Sequence, residues 1–166
     1  MKNSAGIILI LAAIATASPA VAIEGHSPPL IIPAAAFHND GDDPNGFYFH
    51  PDGYLEGDGA PVKMYAAVYL PENATVESFT LYAVDWTNSC TVPSVNAWLY
   101  RVPIIDNVLT QIAGVATSGS LSTMQTPTDT TISAGAINNF MYRYFVRVDF
   151  CSHLHDFYAV EIDYSE

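Results

Sequence analysis

Permanent cations are scarce in this chain: five Lys and Arg stand against 17 Asp and Glu in 166 residues, a formal charge of −12. So few cations cannot neutralise many phosphates, and the field of the chain repels DNA and anionic lipid alike, which excludes nucleic acid as a partner. Cysteine is scarcer still, with only Cys90 and Cys151. No cation or histidine adjoins Cys90, which argues against a catalytic thiol. Past its first residues the chain has no apolar run long enough to cross a bilayer as a helix, so integral membrane insertion is not expected. A helix-period pattern with caps is also missing. So are G-x-S-x-G, H-E-x-x-H and any glycine-rich phosphate loop, the local signatures of several enzyme classes. The chain therefore reads as a non-enzyme, and calcium is the bound ion its residues suggest most strongly.

The first residues supply the apolar run that the rest omits. A lone Lys2, the stretch Ile7 to Ala15 and the small-residue exit Ala20-Val21-Ala22 follow the order of a secretory signal peptide, cleaved between Ala22 and Ile23. Residues 23–29 then form a short N-terminal arm and 30–166 one domain, a length that suits a single core. Losing Lys2 leaves four cations against the same 17 carboxylates, a formal charge of −13. The expected location is periplasmic or extracellular. An even pair of cysteines in such an oxidising compartment reads as a disulfide, Cys90 to Cys151.

Strand signals fill the domain. Leu30-Ile31-Ile32, bracketed by Pro29 and Pro33, reads as an edge strand or a tethered N-terminal segment. Phe47 to His50 and Tyr54 to Glu56 flank Pro51-Asp52-Gly53, a sequence suited to a tight hairpin. Val62–Leu70, Val76–Trp86, Ser94–Val102, Val108–Thr117, Thr130–Ser133, Tyr142–Phe150 and Phe157–Tyr164 complete eight or nine strands. They predict an all-β fold, an antiparallel β-sandwich of jelly-roll-like type. Irregular strand lengths argue against an outer-membrane barrel. The last two strands alternate most cleanly, with Tyr142, Tyr144, Val146, Val148 and Phe150 on one face and Tyr158, Val160, Ile162 and Tyr164 on another. As a hairpin they would set Arg147 across from Glu161. Trp98, alternating with Ala97 and Leu99, suggests a strand buried on both sides.

Three groups of residues could carry chemistry. The stretch His38 to Gly46 concentrates carboxylates on a Gly/Pro-rich loop, and Asp40, Asp42, Asp43 and Asp52 are the expected calcium ligands. Pro44, at the fifth position from Asp40, departs from the EF-hand pattern. The competing reading is a solvated acidic loop guarding a sheet edge. His38 with His50, and His153 with His155, resemble zinc-ligand pairs but lack an identifiable third ligand. Trp86, beside Asp85 and Thr87-Asn88-Ser89, is the best placed aromatic for stacking on a sugar ring, with Asp85 to bond its hydroxyls.

Ile32-Pro33-Ala34-Ala35-Ala36-Phe37, Ala60-Pro61-Val62 leading to Leu70-Pro71-Glu72-Asn73-Ala74-Thr75-Val76, Tyr142-x-Tyr144-x-Val146-Arg147-Val148 and Tyr158-Ala159-Val160-x-Ile162-x-Tyr164 span nearly the whole domain. Through them the chain resembles a group of small secreted bacterial β-sandwich proteins of unknown function. The resemblance implies the same fold and brings no catalytic residues. The leading functional reading is a secreted, non-catalytic structural or interaction protein that self-associates. The alternative is a carbohydrate-binding module with a weak calcium site.

Overall fold

A computed structural model describes residues 28–41, 46–86, 94–151 and 153–166. Alternation of apolar and polar residues produces strands that assemble into two antiparallel sheets. The first contains β1 (Leu30–Pro33), β3 (Phe47–Phe49), β4 (Leu55–Gly57), β6 (Thr75–Asp85), β9 (Leu121–Gln125), β10 (Thr128–Asp129) and β12 (His155–Ser165). The second has the order β2 (His38–Asn39), β5 (Val62–Val68), β11 (Tyr142–Phe150), β7 (Asn96–Pro103) and β8 (Thr110–Ala116). The chain is thus all-β with twelve strands among the described residues, more than the eight or nine expected. The surplus, β2, β9 and β10, is short or exposed and carries no apolar alternation to announce it. Thr130 to Ser133, expected as a strand, lies outside any strand, just after β10.

Each sheet is organised around one long strand. β12 pairs with β6 along one side and with β1 and β4 in turn along the other. β11 runs between β5 and β7. Consecutive strands cross between layers at β1–β2, β2–β3, β4–β5, β5–β6, β6–β7, β8–β9, β10–β11 and β11–β12, which gives the sandwich its jelly-roll-like wrapping. β11 and β12 therefore do not form a hairpin, because each buries its apolar row by facing the other across the core. Arg147 bonds Asp149 on its own strand, and Glu161 accepts a hydrogen bond from Tyr82 Oη at 2.8 Å.

Phe79, Leu81, Phe157, Val160 and Ile162 of the first sheet join Met64, Leu99, Val146, Val148 and Phe150 of the second in one fully buried cluster. Each such side chain contributes about 1.5–3 kcal/mol on burial, so a one-residue slip of register would expose the whole row. The hairpin between β3 and β4 forms as expected: His50 N–H donates to Tyr54 O and Gly53 N–H to His50 O, both at 2.9 Å. Gly53 adopts φ +92°, a conformation that favours glycine. β7 is buried on one side only. Ala97 and Leu99 face the core, whereas Trp98 and Tyr100 lie half-exposed on the outer face.

Candidate functional site

The outer face of the first sheet carries the strongest concentration of chemistry near one end of the sandwich. Directly opposed residues of antiparallel strands share a face. Tyr48 on β3, Glu56 on β4 and Asp156 on β12 therefore form one outward row, with Leu55 and Phe157 in the buried row beside it. A bulge enlarges this row. β12 pairs with β6 through Phe157↔Ala83 and then Ala159↔Tyr82, leaving Tyr158 as the extra residue. Strict alternation from Tyr164 back to Tyr158 would turn the Tyr158 ring into the core. The bulge instead buries Phe157 completely and sets the half-buried Tyr158 ring 5.1 Å from that of Tyr54.

Tyr54 in turn stacks on His50, with centroids 4.3 Å apart and planes inclined by 9°. His50 Nε2 lies 2.5 Å from Glu56 Oε2. The backbone of Trp86, whose side chain is half-exposed at 50%, is anchored by its amide N–H to Leu154 O at 2.9 Å. Tyr54, Glu56, Trp86, His153, Leu154 and Asp156 together line a cleft of about 180 Å³. Burial and then the neighbouring Glu56 carboxylate raise the pKa of Asp156 above the ordinary range. The Tyr54 and Tyr158 phenols are raised as well, first by desolvation and then by Asp156, so both remain O–H donors at neutral pH. The cleft thus combines apolar ring faces, carboxylate acceptors and phenolic donors.

Several sequence expectations change here. Asp85 cannot meet a ligand from solution, because alternation along β6 turns Trp86 outward and Asp85 inward, where it is fully buried. There its Oδ2 accepts from Thr117 Oγ1 at 2.7 Å, and its Oδ1 lies 3.3 Å from Nε2 of the equally buried His155, off hydrogen-bond angle. Cys151 N–H donates to the other nitrogen of that ring, Nδ1, at 3.5 Å. The zinc pairs are separated: His155 is buried while His153 is exposed, and His38 lies on β2 of the second sheet while His50 lies in the β3–β4 turn of the first. Among the described residues no three His, Cys, Asp or Glu side chains are placed to hold a metal. Of the expected calcium ligands, Asp42 and Asp43 lie outside the described residues, and Asp40 and Asp52 are exposed. Cys151 is fully buried and is not a free thiol; Cys90, like the expected signal segment at residues 1–22, lies outside the described residues. Sequence reading singled out Trp86 but not Tyr54 or Tyr158, and took Glu56 only as a neighbour of the acidic loop and Asp156 only as a companion of the His153 and His155 pair. The Pro51-Asp52-Gly53 hairpin was the available signal for Tyr54 and Glu56, whereas nothing local announces the bulge.

No protein-family model and no curated protein matches the chain. Solved structures do. The C-terminal CBM6, a carbohydrate-binding module of the marine laminarinase LamC from Zobellia galactanivorans, is similar at 10% identity with a TM-score of 0.52, covering 81% of this chain and 98% of that one. A xylan-binding module, CBM15, aligns at 12% identity and a TM-score of 0.48, covering 82% and 97%. A family two carbohydrate esterase from Cellvibrio japonicus aligns at 10% identity and 0.42, covering 82% of this chain and 34% of the esterase. At these identities the likeness is one of fold, carried by the first of the three.

Proposed function

We propose that the protein is a secreted, non-catalytic glycan-binding module, and that a neutral saccharide binds in the cleft beside Trp86. The observation that carries the reading is the juxtaposition of Trp86, Tyr54 and Tyr158 with Glu56 and Asp156 on one open face. Pyranose rings offer C–H groups to aromatic faces and hydroxyls to carboxylates, and this cleft supplies both kinds of partner. A formal charge of −13 after loss of the leader favours neutral over anionic glycans. The shared fold with a carbohydrate-binding module is consistent with the reading. The leader, the Cys90–Cys151 disulfide and a calcium held by Asp40, Asp42, Asp43 and Asp52 complete the proposal. None of the last three is needed by the cleft itself.

Titration calorimetry with cellotriose, xylotriose, laminaritriose and galactotriose tests the cleft. One of these should bind the wild-type protein, and Trp86→Ala should weaken it about tenfold, the equivalent of losing one stacking contact of roughly 1.4 kcal/mol. The oligosaccharide should be recovered intact. Equal affinity in wild type and Trp86→Ala would overturn the assignment.

Self-association, the leading reading of the sequence, has an observation of its own. At the sandwich end opposite the cleft, the 104–109 and 138–141 loops are joined by Ile104 N–H to Met141 O at 3.0 Å. They expose Ile105 at 86% and Phe140 at 82%. Light scattering should then give a multiple of the protomer mass that Ile105→Glu reduces to one; a wild-type monomer would remove this reading.

A further inference from the structure

The outer face of the second sheet is paved with rings where a solvated face would carry polar residues. Cross-strand register lays it out as a grid. One row runs His38 (β2), Tyr65 (β5), Arg147 (β11), Trp98 (β7) and Gly114 (β8). The next runs Ala67, Phe145, Tyr100 and Gln111, and the one on the other side Lys63, Asp149, Asn96 and Ala116. The rings are contiguous: Tyr65 lies 6.1 Å and Tyr100 5.4 Å from Phe145, centroid to centroid. All four aromatics are half-exposed rather than covered.

Two devices hold the side chains of this surface in place. A Cβ on Gly114 would come within 2.8 Å of Trp98 Cδ1, so the indole lies over the neighbouring strand where only glycine leaves room. Arg147 donates from Nε to Asp149 Oδ1 at 2.6 Å and from Nη2 to Oδ2, which fixes its guanidinium 5.2 Å from the Trp98 ring centroid. Five strands span about 19 Å, wide enough for several sugar residues. Polar groups of Lys63, Asn96, Gln111 and His38 fringe the rings, as hydroxyl recognition requires.

We infer that this face is a second glycan-binding surface, for an extended neutral polysaccharide chain, and that with the Trp86 cleft on the other sheet it makes the protein a bivalent cross-linker of glycan chains. Its ligand class rests on the glycan reading above, but the surface does not use the cleft. Because the two sites lie on opposite outer faces of the sandwich, one protein can hold two chains, and avidity follows without any new contact.

Purified protein is bound to insoluble amorphous cellulose, xylan or curdlan, and then offered a fluorescently labelled soluble form of the same polysaccharide. The wild type should bind and also capture the soluble chain. Trp86→Ala and Trp98→Ala should each still bind, with roughly tenfold weaker retention, but fail to capture. Tyr65→Ser, at the margin of the grid, checks the face without relying on Trp98, and melting curves confirm that every variant folds. Loss of all binding in Trp86→Ala, or capture unchanged in both Trp98→Ala and Tyr65→Ser, would overturn the second surface. Full loss of binding in Trp98→Ala with Trp86→Ala unaffected would instead overturn the cleft, and with it bivalency, while leaving the face. A protomer mass in Trp98→Ala where the wild type is dimeric would assign the face to a second copy of the chain and overturn the proposal. Failure of the wild type to bind any of the three polymers would overturn both sites.

Discussion

Asp85→Asn should destabilise the protein despite being isosteric. A hydrogen-bond chain and a buried imidazole meet this carboxylate inside the sandwich. Val95 N–H donates to Thr117 Oγ1 at 2.9 Å and Thr117 Oγ1 donates to Asp85 Oδ2 at 2.7 Å. From the other side Cys151 N–H donates to His155 Nδ1, which places the ring proton on Nε2, 3.3 Å from Asp85 Oδ1. Asp85 accepts the first chain at Oδ2 and faces the second only across an ion-pair distance at Oδ1. An asparagine brings two donors of its own, so either orientation of its amide sets a donor against Thr117 or against His155. Leaving a buried donor without an acceptor costs about 1–3 kcal/mol, and disturbing the remaining bonds of the network adds to it, for roughly 2–4 kcal/mol in all. For a domain of this size that corresponds to a fall of about 8–16 °C in Tm. Calorimetric melting of wild type and variant at pH 7 measures the fall, and saccharide affinity of the folded variant should be unchanged. A Tm within about 2 °C of wild type would refute the convergence on Asp85 and the cost assigned to it.

Asp156→Asn should raise Tm at neutral pH while weakening saccharide binding, since it removes a charge that burial and Glu56 disfavour in the cleft. A carboxylate with a raised folded pKa costs stability as pH rises through that pKa, so the gain should vanish below roughly pH 4, where both states are protonated; a gain independent of pH would contradict this. Asp129 behaves oppositely: donors from Thr131 and Gly114 lower its pKa. The stability it contributes is therefore present above the ordinary carboxylate range and lost as pH falls through the folded pKa, so Asp129→Ala should cost about 1–3 kcal/mol at pH 7 and progressively less in acid, read from urea midpoints. Reduction should add two daltons to the intact mass if Cys90 and Cys151 are joined, and should lower Tm, while an unchanged mass would dismiss the pairing. A chelator should lower Tm if the Asp40 region holds calcium, and equal melting in calcium and chelator would dismiss that site.

The sequence by itself determined the class of structure and several of its parts. Alternation is a property of neighbouring residues, so β11 could be read with its ends at Tyr142 and Phe150, and Pro51-Asp52-Gly53 marked its hairpin because turn chemistry is equally local. Trp86 could be singled out on the same terms. Tertiary structure decided what depends on partners distant in the chain. It assigned β11 and β12 to opposite sheets, since two strands with equally apolar rows gain more by facing each other across a core than by pairing edge to edge. It turned Asp85 inward beside His155 and Thr117, residues 70 and 32 positions away that no local pattern connects to it. The bulge that brings Tyr158 out to Tyr54 was likewise settled by the pairing of β12 with β6. A single unpaired residue there reverses which face the following side chains take, and only the packing of Phe157 against Phe37 and Phe150 fixes where that residue falls.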